Sequence, residues 1–543
     1  MTHTVAQLVG RTLAELGVAQ AFGVVGSGNF AVTNALREHG VPFVAARHEC
    51  GAATMADAFG RMSDRVAVVT THQGCGLTNA LTGITEAAKS RTPMLVLAAD
   101  TPGSAVGSNF RIDQDAAAAA VGAVPERVHS PRTAAADTLR AYRTAVQERR
   151  TVVLNLPLDV QAAPAESGQP ARIAPAPPPV RPGEESVAEL AAAIRAAARP
   201  VFVAGRGARH AGPELRALAE AAGALLATSA VANGLFEGDP WSLGISGGFA
   251  SPLAAELVGD ADLVVSWGCA LNMWTTRHGK LIGPSATVAQ VDLDTAALGA
   301  HRPVDIGVFG DVGRTARDVL AALGSPRAGY RHDGLRTRIA TEVRWRDVPY
   351  RDESTVDRID PRTLSIRLDE LLPDQRVVSV DSGNFMGYPS VYLDVPDEYG
   401  FCFTQAFQSI GLGLATAVGA ALARPERLPV AALGDGGFLM SVAELETVAR
   451  LGLPMVVVVY NDAAYGAEVH HFRGEDLDTV VFPDTDIAAI ATGFGCTGVT
   501  VRSVDDLAPV AGWLDGPRLR PLVVDAKITS DGGSWWLAEA FGH

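Results

Sequence analysis

Short apolar runs alternate with helix-forming stretches along the whole chain, and this alternation constrains the fold more than any other feature. The runs cover residues 65–70, 94–98, 151–156, 200–204, 263–266, 287–292, 377–380, 430–433, 455–460 and 522–525. Continuous apolar strands separated by helical stretches, such as Leu77–Lys89, predict parallel sheets covered by helices on both faces. The predicted fold class is therefore α/β, with three doubly wound parallel-sheet domains.

Proline marks the clearest boundary between these units. Residues 161–183 hold seven prolines in 23 positions, which excludes a helix or an interior strand and predicts an extended linker. A second boundary lies between about residues 325 and 359, where charge rises and periodicity fades, with a short helix around Gly334–Trp345. The predicted intervals are 1–162 (first domain), 163–183 (linker), 184–325 (central domain), 326–358 (linker) and 359–543 (third domain).

The composition limits the partners and the compartment that we expect. The formal net charge is −15, so a broadly anionic surface would repel nucleic acid and acidic lipid. The five cysteines show neither CxxC nor zinc-ligand spacing, which predicts a reducing compartment without a disulfide framework or structural zinc. The first residues do not resemble a signal peptide, and the longest apolar runs are too short to cross a bilayer. We therefore expect a cytoplasmic protein.

Ligands of doubly wound sheets bind at the carboxyl ends of the strands, and two of these ends carry a notable pair. The strand ending at Leu433 is followed by Gly434-Asp435-Gly436-Gly437, and the next strand ends at Asn461. Alone, these would be an ordinary turn and a helix cap. Together, a carboxylate and an amide oxygen beside glycine-rich backbone suit a hard cation that also binds phosphate. Ser441 and Glu444 predict a capping box for the following helix.

The pair resembles the signature of thiamine diphosphate enzymes, in which Asn follows GDG one strand–helix–strand unit later. The resemblance implies Mg²⁺ held by Asp435, Asn461 and the backbone carbonyl of Ala463, with the ion bridging to the cofactor diphosphate. It also implies cofactor contacts by neighbouring residues of the same two segments. These are Gly434, Gly436, Gly437, Tyr465 and Gly466.

A second match to this family lies in the first domain. Glu49 follows an apolar strand at residues 41–46 and opens a helical stretch at residues 50–62. The resemblance implies that Glu49 pairs with N1′ of the cofactor aminopyrimidine and thereby promotes loss of the thiazolium C2 proton. Taken alone, Glu49 would be a solvated acid that the helix dipole favours near a helix N-terminus.

Two loops of the third domain extend the resemblance. Residues 407–415 are similar to a segment of acetolactate synthases, which places Ser409 against the cofactor and Ile410 between its two rings. By itself, an isoleucine is usually a core residue. Residues 381–385 follow a strand and match the family's other diphosphate-contacting loop. This match implies cofactor contacts by Gly383, Asn384 and Phe385.

The resemblance covers essentially the whole chain and is strongest to the acetolactate synthase and benzoylformate decarboxylase branch. It implies a pyrimidine-binding domain, a central domain and a diphosphate-binding domain, in that order. In this architecture Glu49 of one chain meets Asp435 of another, so a homodimer is the smallest active unit and a homotetramer is expected. The implied activity is decarboxylation of a 2-oxo acid, followed by protonation to an aldehyde or carboligation to a second carbonyl.

The residues on the substrate side are carried over from individual family members. His72 aligns with a catalytic histidine of benzoylformate decarboxylases, although a core histidine satisfied by the backbone is the alternative. Ser27 matches a serine that contacts the substrate carboxylate, and Gln114 resembles a glutamine near the reacting carbonyl. Glu468 resembles the glutamate after the metal motif of pyruvate decarboxylases if one residue is inserted. His471 is predicted to be catalytic, and it cannot point inward together with its helical neighbour His470.

Two other functions remain open from the sequence. Gly205-Arg206-Gly207 is similar to a dinucleotide loop but lacks the third glycine, and no arginine-rich flavin motif is recognisable, so FAD is the weaker expectation. An FAD-linked oxidase of the same fold is one alternative. A non-catalytic scaffold copy of the fold is another, although such a copy has no reason to keep Glu49, Asp435 and Asn461 together. The sequence does not name the 2-oxo acid or the acceptor.

Overall fold

The computed structural model describes residues 3–166, 178–530 and 534–537. Within these residues the chain forms three six-stranded sheets in which every strand pairing is parallel. The predicted α/β class with three parallel-sheet domains is confirmed. The strands of the three sheets span residues 20–157, 200–309 and 376–527. The linker predicted at 163–183 lies partly outside the described residues, which omit 167–177.

The first sheet has the strand order β2-β1-β3-β4-β6-β5. Its strands are β1 (Gln20–Gly23), β2 (Phe43–Ala45), β3 (Ala67–Thr71), β4 (Met94–Asp100), β5 (Val124–Arg127) and β6 (Thr151–Pro157). The helices of this domain are α1 (Val5–Glu15), α2 (Phe30–Glu38), α3 (Glu49–Ser63), α4 (Cys75–Lys89), α5 (Gln114–Ala120), α6 (Ala134–Gln147) and α7 (Leu158–Ala162). The central strands are buried along their whole length, which explains their continuous apolar sequence.

The central sheet has the order β12-β11-β10-β7-β8-β9. Its strands are β7 (Pro200–Ala204), β8 (Leu225–Thr228), β9 (Ser242–Ile245), β10 (Leu263–Trp267), β11 (Thr287–Asp292) and β12 (Ile306–Phe309). Its helices are α8 (Glu184–Ala196), α9 (Gly212–Ala222), α10 (Pro252–Gly259), α11 (Met273–Thr276) and α12 (Val312–Leu323). The short helix expected around Gly334–Trp345 is present as α13 (Asp333–Glu342), followed by a 3-10 turn at Trp345–Asp347.

The third sheet has the order β14-β13-β15-β16-β18-β17, the same topology as the first. Its strands are β13 (Arg376–Val380), β14 (Phe401–Phe403), β15 (Leu428–Gly434), β16 (Val456–Asn461), β17 (Thr497–Val501) and β18 (Leu522–Lys527). Its helices are α14 (Pro361–Leu371), α15 (Gly387–Tyr392), α16 (Gly413–Ala423), α17 (Asp435–Ser441), α18 (Glu444–Arg450), α19 (Gly466–His471), α20 (Ile487–Gly493) and α21 (Ala508–Asp515). The two outer domains are therefore topological copies.

The two outer domains share one hydrophobic core, in which α3 packs against α16. Glycine permits the close approach, because a Cβ at Gly419 would lie 2.2 Å from the carbonyl oxygen of Met55 and 2.9 Å from the Cβ of Ala58. The contact fixes the strand edges of the first and third sheets relative to each other. No helix among the described residues has the length and apolarity needed to span a bilayer.

Candidate active site

Two carboxyl groups meet where β15 and β16 end. Gly434 of β15 pairs with Tyr460 of β16, so Asp435 and Asp462 leave the sheet side by side, and their side chains are hydrogen-bonded. Burial raises the pKa of Asp435 to about 6. Burial, together with the neighbouring charge of Asp435, raises the pKa of Asp462 to about 8. Two buried carboxylates that resist joint ionisation fit a site that takes up a cation.

The side chain of Asn461 is held in one orientation beside this pair. Its Nδ2 donates to Asp525 Oδ1 at 2.9 Å, and its Oδ1 accepts from the backbone N–H of Ala463 at 3.1 Å. Ala463 adopts a left-handed conformation with φ of 59°, and its carbonyl accepts from Phe482 N at 2.8 Å. The free lone pairs of these oxygens suit a hard cation. Sequence reasoning missed Asp462 and Asp525, although both lie at or next to the carboxyl ends of paired strands, where the rule for ligand sites applies.

The glycine-rich turn packs against the other segments predicted to touch the cofactor. A Cβ at Gly434 would lie 3.2 Å from the Phe385 ring, and one at Gly436 would lie 2.5 Å from the Tyr465 ring. A Cβ at Gly466 would lie 3.2 Å from the Cβ of Asn384. The structure therefore brings together the three segments 383–385, 434–437 and 461–466, around backbone that only glycine leaves open. Their contacts with a cofactor stay a prediction.

The loop that carries Ser409 and Ile410 is tied to this cluster by Asp381. The buried carboxylate of Asp381 accepts from Gly411 N at 2.9 Å and from Leu412 N at 3.1 Å. Burial raises the pKa of Asp381 to about 6. A Cβ at Gly437 would lie 2.4 Å from Asp381 Oδ2, so the same carboxylate touches the turn after β15. Ile410 is half-buried at the edge of the cluster.

The first domain presents a second cluster, centred on Glu49. Glu49 is the first residue of α3 and is only 9% exposed. Asn79 Nδ2 donates to Glu49 Oε2 at 3.1 Å. A Cβ at Gly76 would lie 3.5 Å from Glu49 Oε1 and 3.2 Å from the Cβ of His72. Glu49 and His72 are therefore neighbours across the start of α4, which the sequence alone did not establish.

His72 follows β3 and is half-buried. Its Nδ1 lies 3.2 Å from the carbonyl of Gln73, and its Nε2 lies 3.4 Å from Ser27 Oγ. The ring meets Phe110 edge-on at 5.0 Å. Since a carbonyl oxygen can only accept, the contact with Gln73 favours the tautomer with the proton on Nδ1, which leaves Nε2 as an acceptor facing Ser27. Ser27 and His72, which the sequence predicts separately, are thus brought together.

Gln114 lies beneath these residues and is 1% exposed. Its Oε1 accepts from Gly74 N at 2.9 Å, and its Nε2 donates to Asn155 Oδ1 at 2.7 Å and to Ala99 O at 3.1 Å. Both ends of the amide are therefore bonded within the domain. These bonds support the turn after His72, and a direct contact of Gln114 with substrate stays a prediction.

The remaining predicted residues lie on α19 of the third domain. Glu468 is exposed, and His471 is half-buried with its ring 5.5 Å from that of His470. Within the part of the chain that the structure describes, no hydrogen bond or ion pair links Glu49 to Asp435 or Asn461. The described residues thus form two separate clusters, which we call half-sites: one around Glu49 and His72 on the first domain and one around Asp435, Asn461 and Asp462 on the third.

Close packing explains two glycines of the central domain. A Cβ at Gly205 would lie 2.3 Å from the carbonyl oxygen of Gly268, and one at Gly207 would lie 2.9 Å from the Gly268 Cα. The backbone around Gly205 and Gly207 passes so close to Gly268 that both positions need glycine, whether or not a dinucleotide binds. Asn272 caps the start of α11, where its side chain accepts from Thr275 N at 3.0 Å.

Two outer domains of one topology, with an acidic edge that suits a cation on one and a buried glutamate on the other, fit a class of cofactor-dependent lyases and synthases. The sequence agrees with this class in all three domains. The description "Thiamine pyrophosphate enzyme, N-terminal TPP binding domain" matches residues 3–120, the "central domain" matches 187–323, and the "C-terminal TPP binding domain" matches 381–524. The chain belongs to the thiamine pyrophosphate enzyme family.

Similar proteins perform different reactions. The "Probable 2-ketoarginine decarboxylase AruI" of Pseudomonas aeruginosa is 30% identical over 531 residues, covering 93% of this chain and 91% of the relative. A "Sulfoacetaldehyde acetyltransferase" of Rhodobacter capsulatus is 29% identical, with coverage of 93% and 91%. An "Acetolactate synthase large subunit" of Parasynechococcus marenigrum is 27% identical, with coverage of 94% and 85%. The relatives therefore include a decarboxylase, an acyl-transferring enzyme and a synthase.

Proposed function

We propose that the protein is a thiamine diphosphate- and Mg²⁺-dependent enzyme that decarboxylates a 2-oxo acid. The product is released as an aldehyde or joined to a second carbonyl. The observation that carries the proposal is the buried, hydrogen-bonded pair Asp435 and Asp462 at adjacent strand ends, beside the fixed amide of Asn461. The names of two relatives, a decarboxylase and a synthase, fit a first step of this kind, whereas the sulfoacetaldehyde acetyltransferase acts on an aldehyde that has no carboxyl group to lose.

In this proposal Mg²⁺ is held by Asp435, Asn461 and the carbonyl of Ala463, and Asp462 compensates its charge. The diphosphate lies on the segments 383–385, 434–437 and 461–466. The fit rests on the donor set, which is all oxygen, and on the glycine backbone that leaves room for close approach. Thiamine diphosphate supplies the electron sink that a 2-oxo acid needs to lose CO₂.

Glu49 and His72 handle protons in this proposal. Glu49 holds a proton at N1′ of the aminopyrimidine, and the bond from Asn79 orients its carboxylate so that Oε1 remains available. His72 moves a proton between its Nε2 and the reacting carbon or oxygen, with Ser27 within 3.4 Å of the same nitrogen. Glu468 and His471 approach from α19 as further candidates for binding or protonating substrate.

The two half-sites require a second chain in the proposal. Large apolar side chains are exposed beside both half-sites, and Met440, Phe407 and Phe110 are 62%, 44% and 44% exposed. Burial of such side chains against a partner is a favourable contribution to association. We therefore propose a homodimer as the smallest active unit, with a homotetramer as the expected assembly.

One observation favours a second candidate, an FAD-linked oxidase. A cavity of about 340 Å³ lies between the first and central domains and is lined by five arginines. These are Arg61, Arg91, Arg149, Arg206 and Arg209. Guanidinium groups bind phosphates well, so the cavity suits the diphosphate of a nucleotide cofactor. Visible absorbance of a flavin in the purified protein would support this candidate, and colourless protein with full decarboxylase activity would reject it.

A panel of 2-oxo acids tests the main proposal. The holoenzyme is incubated with each acid, with 2-ketoarginine and pyruvate included, and CO₂, aldehyde and acyloin are measured. Sulfoacetaldehyde and small aldehydes are added in parallel as acceptors. We expect CO₂ release that requires both thiamine diphosphate and Mg²⁺ and stops with EDTA. Failure to bind thiamine diphosphate would contradict the proposal and favour the scaffold alternative.

A further inference from the structure

A buried glutamate of the first domain accepts two hydrogen bonds from a loop of the third domain. Glu86, on α4, is fully buried, with its side chain 0% exposed. Its Oε1 accepts from Ala406 N at 3.1 Å and its Oε2 accepts from Phe407 N at 2.7 Å. These two N–H groups lie three to four positions before Ile410. A carboxylate with both oxygens bonded to consecutive backbone amides fixes the position of that peptide strongly.

The third domain makes an equivalent contact with the first domain. Glu444, on α18, is 2% exposed, and its Oε1 accepts from Arg47 N and from His48 N, each at 3.0 Å. These amides immediately precede Glu49. The two glutamates occupy equivalent places, because α4 follows β3 and α17–α18 follow β15, the third strands of two sheets with the same order. Each outer domain thus anchors the peptide that leads into a proposed catalytic element of the other.

Glu86 also belongs to a buried ion network. Arg61 lies 2.7 Å from Glu86 and 2.6 Å from Asp57, and its Nη1 donates to Phe403 O at 3.0 Å. Asp57 touches Arg61 and Thr92, but it does not bond the loop of residues 406–410. Glu86 and Asp57 are therefore both buried and both pair with Arg61, but only Glu86 bonds the loop of residues 406–410.

The loop between these anchors has few restraints of its own. Glu86 holds its start and Asp381 holds its end at Gly411 and Leu412. Between them Gln408 has φ of 62°, a conformation that a non-glycine residue keeps only when its surroundings impose it. Ala406, Phe407 and Gln408 are exposed. The location of Ile410 is thus set by the two carboxylates more than by packing of the loop itself.

We infer that Glu86 is a positioning residue, which holds Ile410 at the place where the proposed cofactor must bend. The inference rests on the proposed function and adds a residue of the first domain to the cofactor half-site of the third. Glu86 does not touch the cofactor; it acts through the Ala406–Phe407 peptide. A misplacement of about 1 Å in such a support can lower a rate by up to about 100-fold.

Three variants separate positioning from stability. Glu86→Gln turns an amide N–H₂ towards one of the two backbone donors. Glu86→Asp keeps the charge beside Arg61 but withdraws the carboxylate by one methylene. Asp57→Asn is the matched control, because it weakens the same ion network and leaves the loop bonds intact. Each holoenzyme is assayed for thiamine diphosphate binding by calorimetry, for kcat and KM, for Tm, and for the near-ultraviolet circular dichroism of the bound cofactor.

We expect both Glu86 variants to lose roughly 10- to 100-fold in kcat, with KM within about threefold and an altered cofactor dichroism. Asp57→Asn should lose Tm while its kcat stays within about threefold of wild type. If Glu86→Gln does not fold, Glu86→Asp decides the question. Equal losses of kcat in Asp57→Asn and Glu86→Asp, or normal kcat and dichroism in the Glu86 variants, would overturn the inference.

The same experiment distinguishes this inference from the proposed function. A wild-type protein that binds no thiamine diphosphate with Mg²⁺ overturns both. A wild-type protein that binds the cofactor and decarboxylates, together with Glu86 variants that do so equally well, overturns only the role of Glu86.

Discussion

The first and third domains share one strand order but present opposite chemistry at the same strand ends. In the first domain β3 leads into His72, and in the third the equivalent strand β15 leads into Asp435. The histidine has a serine and a backbone carbonyl beside it. The aspartate has a second buried carboxyl, that of Asp462. One edge therefore suits proton transfer and the other suits a cation.

This difference teaches that the fold supplies the location and the side chains at strand ends supply the chemistry. Both domains place a glycine turn after the third strand, but this turn contains His72 in the first domain and Asp435 in the third. In the proposed function, the two half-sites serve different parts of one cofactor. Substitutions at equivalent positions should consequently fail in different ways.

The largest effect is expected at the acidic edge. Asp435→Ala removes a proposed Mg²⁺ ligand and leaves Asp462 buried without its partner, so thiamine diphosphate should no longer copurify and turnover should fall to background. EDTA should reproduce the loss in wild type, and added Mg²⁺ should reverse it. Cofactor content is measured in the purified proteins, with the exposed Asp515→Ala as control. Metal-independent cofactor binding by Asp435→Ala would refute the assignment.

The next effect is expected at the half-site of the first domain. Glu49→Gln keeps the shape and the contact with Asn79, but it cannot hold the N1′ proton. Cofactor affinity should stay within a few-fold of wild type, while exchange of the thiazolium C2 proton slows by about 10³-fold, within the usual range for general acid–base groups. NMR of the bound cofactor in D₂O measures the rate. An unchanged exchange rate would remove Glu49 from the mechanism.

A smaller effect is expected for His72→Ala, of about 100-fold in kcat with normal cofactor content. Slower protonation should also shift product from aldehyde towards acyloin, because a second carbonyl has more time to react. Single-turnover kinetics and Tm are measured on one preparation, with the exposed His129→Ala as control. If His72 only packs the core, the variant should lose Tm while its folded fraction keeps normal kcat.

The smallest effect is expected in the pH dependence of stability, which should differ between variants of the two buried glutamates Glu86 and Glu444. Burial raises the pKa of Glu86, but Arg61 and the Ala406 and Phe407 amides outweigh it and leave that pKa below its ordinary value. Burial raises the pKa of Glu444 above its ordinary value, with Thr447, the His48 and Arg47 amides and the His48 ring opposing. Asp57, Arg206 and Cys402 are further ionisable neighbours of Glu86, and Cys50 is a further ionisable neighbour of Glu444.

The sign of each pH dependence follows from these directions. Ionised Glu86 stabilises the fold above the unfolded pKa of about 4.3, and this stability is lost as pH falls through its lower folded pKa. Ionised Glu444 costs stability above its raised pKa, and protonation relieves the cost. Glu86→Gln should therefore destabilise by about 2 kcal/mol at neutral pH and by less in acid, whereas Glu444→Gln should cost below about 1 kcal/mol. Urea unfolding at several pH values measures both, and identical pH slopes would contradict the contrast.

Much of the fold was predictable because its strands are buried on both faces. The central strands β3, β4 and β15 are continuous apolar runs and fall where the sequence placed them. Short edge strands escaped prediction, since β5 and β9 have only four residues with polar or glycine positions. A cation site after β15 and β16 could also be proposed from the sequence, because both motifs are local; that site stays a prediction.

Contacts between domains were not predictable. The capping box expected from Ser441 and Glu444 is wrong: Ser441 Oγ donates to the Gly437 carbonyl, and Glu444 accepts from Arg47 and His48 of the other domain. A local pattern cannot reveal that backbone donors nearly 400 residues away compete for the same carboxylate. The role of Glu86 was missed for the same reason, since it depends on a partner that only the folded chain supplies.

The packing of α3 against α16 has a consequence during synthesis. Met55 meets Gly419, so about 360 residues separate the two surfaces. At roughly 5–20 residues per second on the ribosome, the alanine- and glycine-rich face of α3 stays uncovered for about 20–70 s after it emerges. During this interval the first domain exposes apolar surface to other nascent chains. A chaperone that binds this face early in translation and dissociates once α16 has emerged would keep the face covered until α16 packs against it.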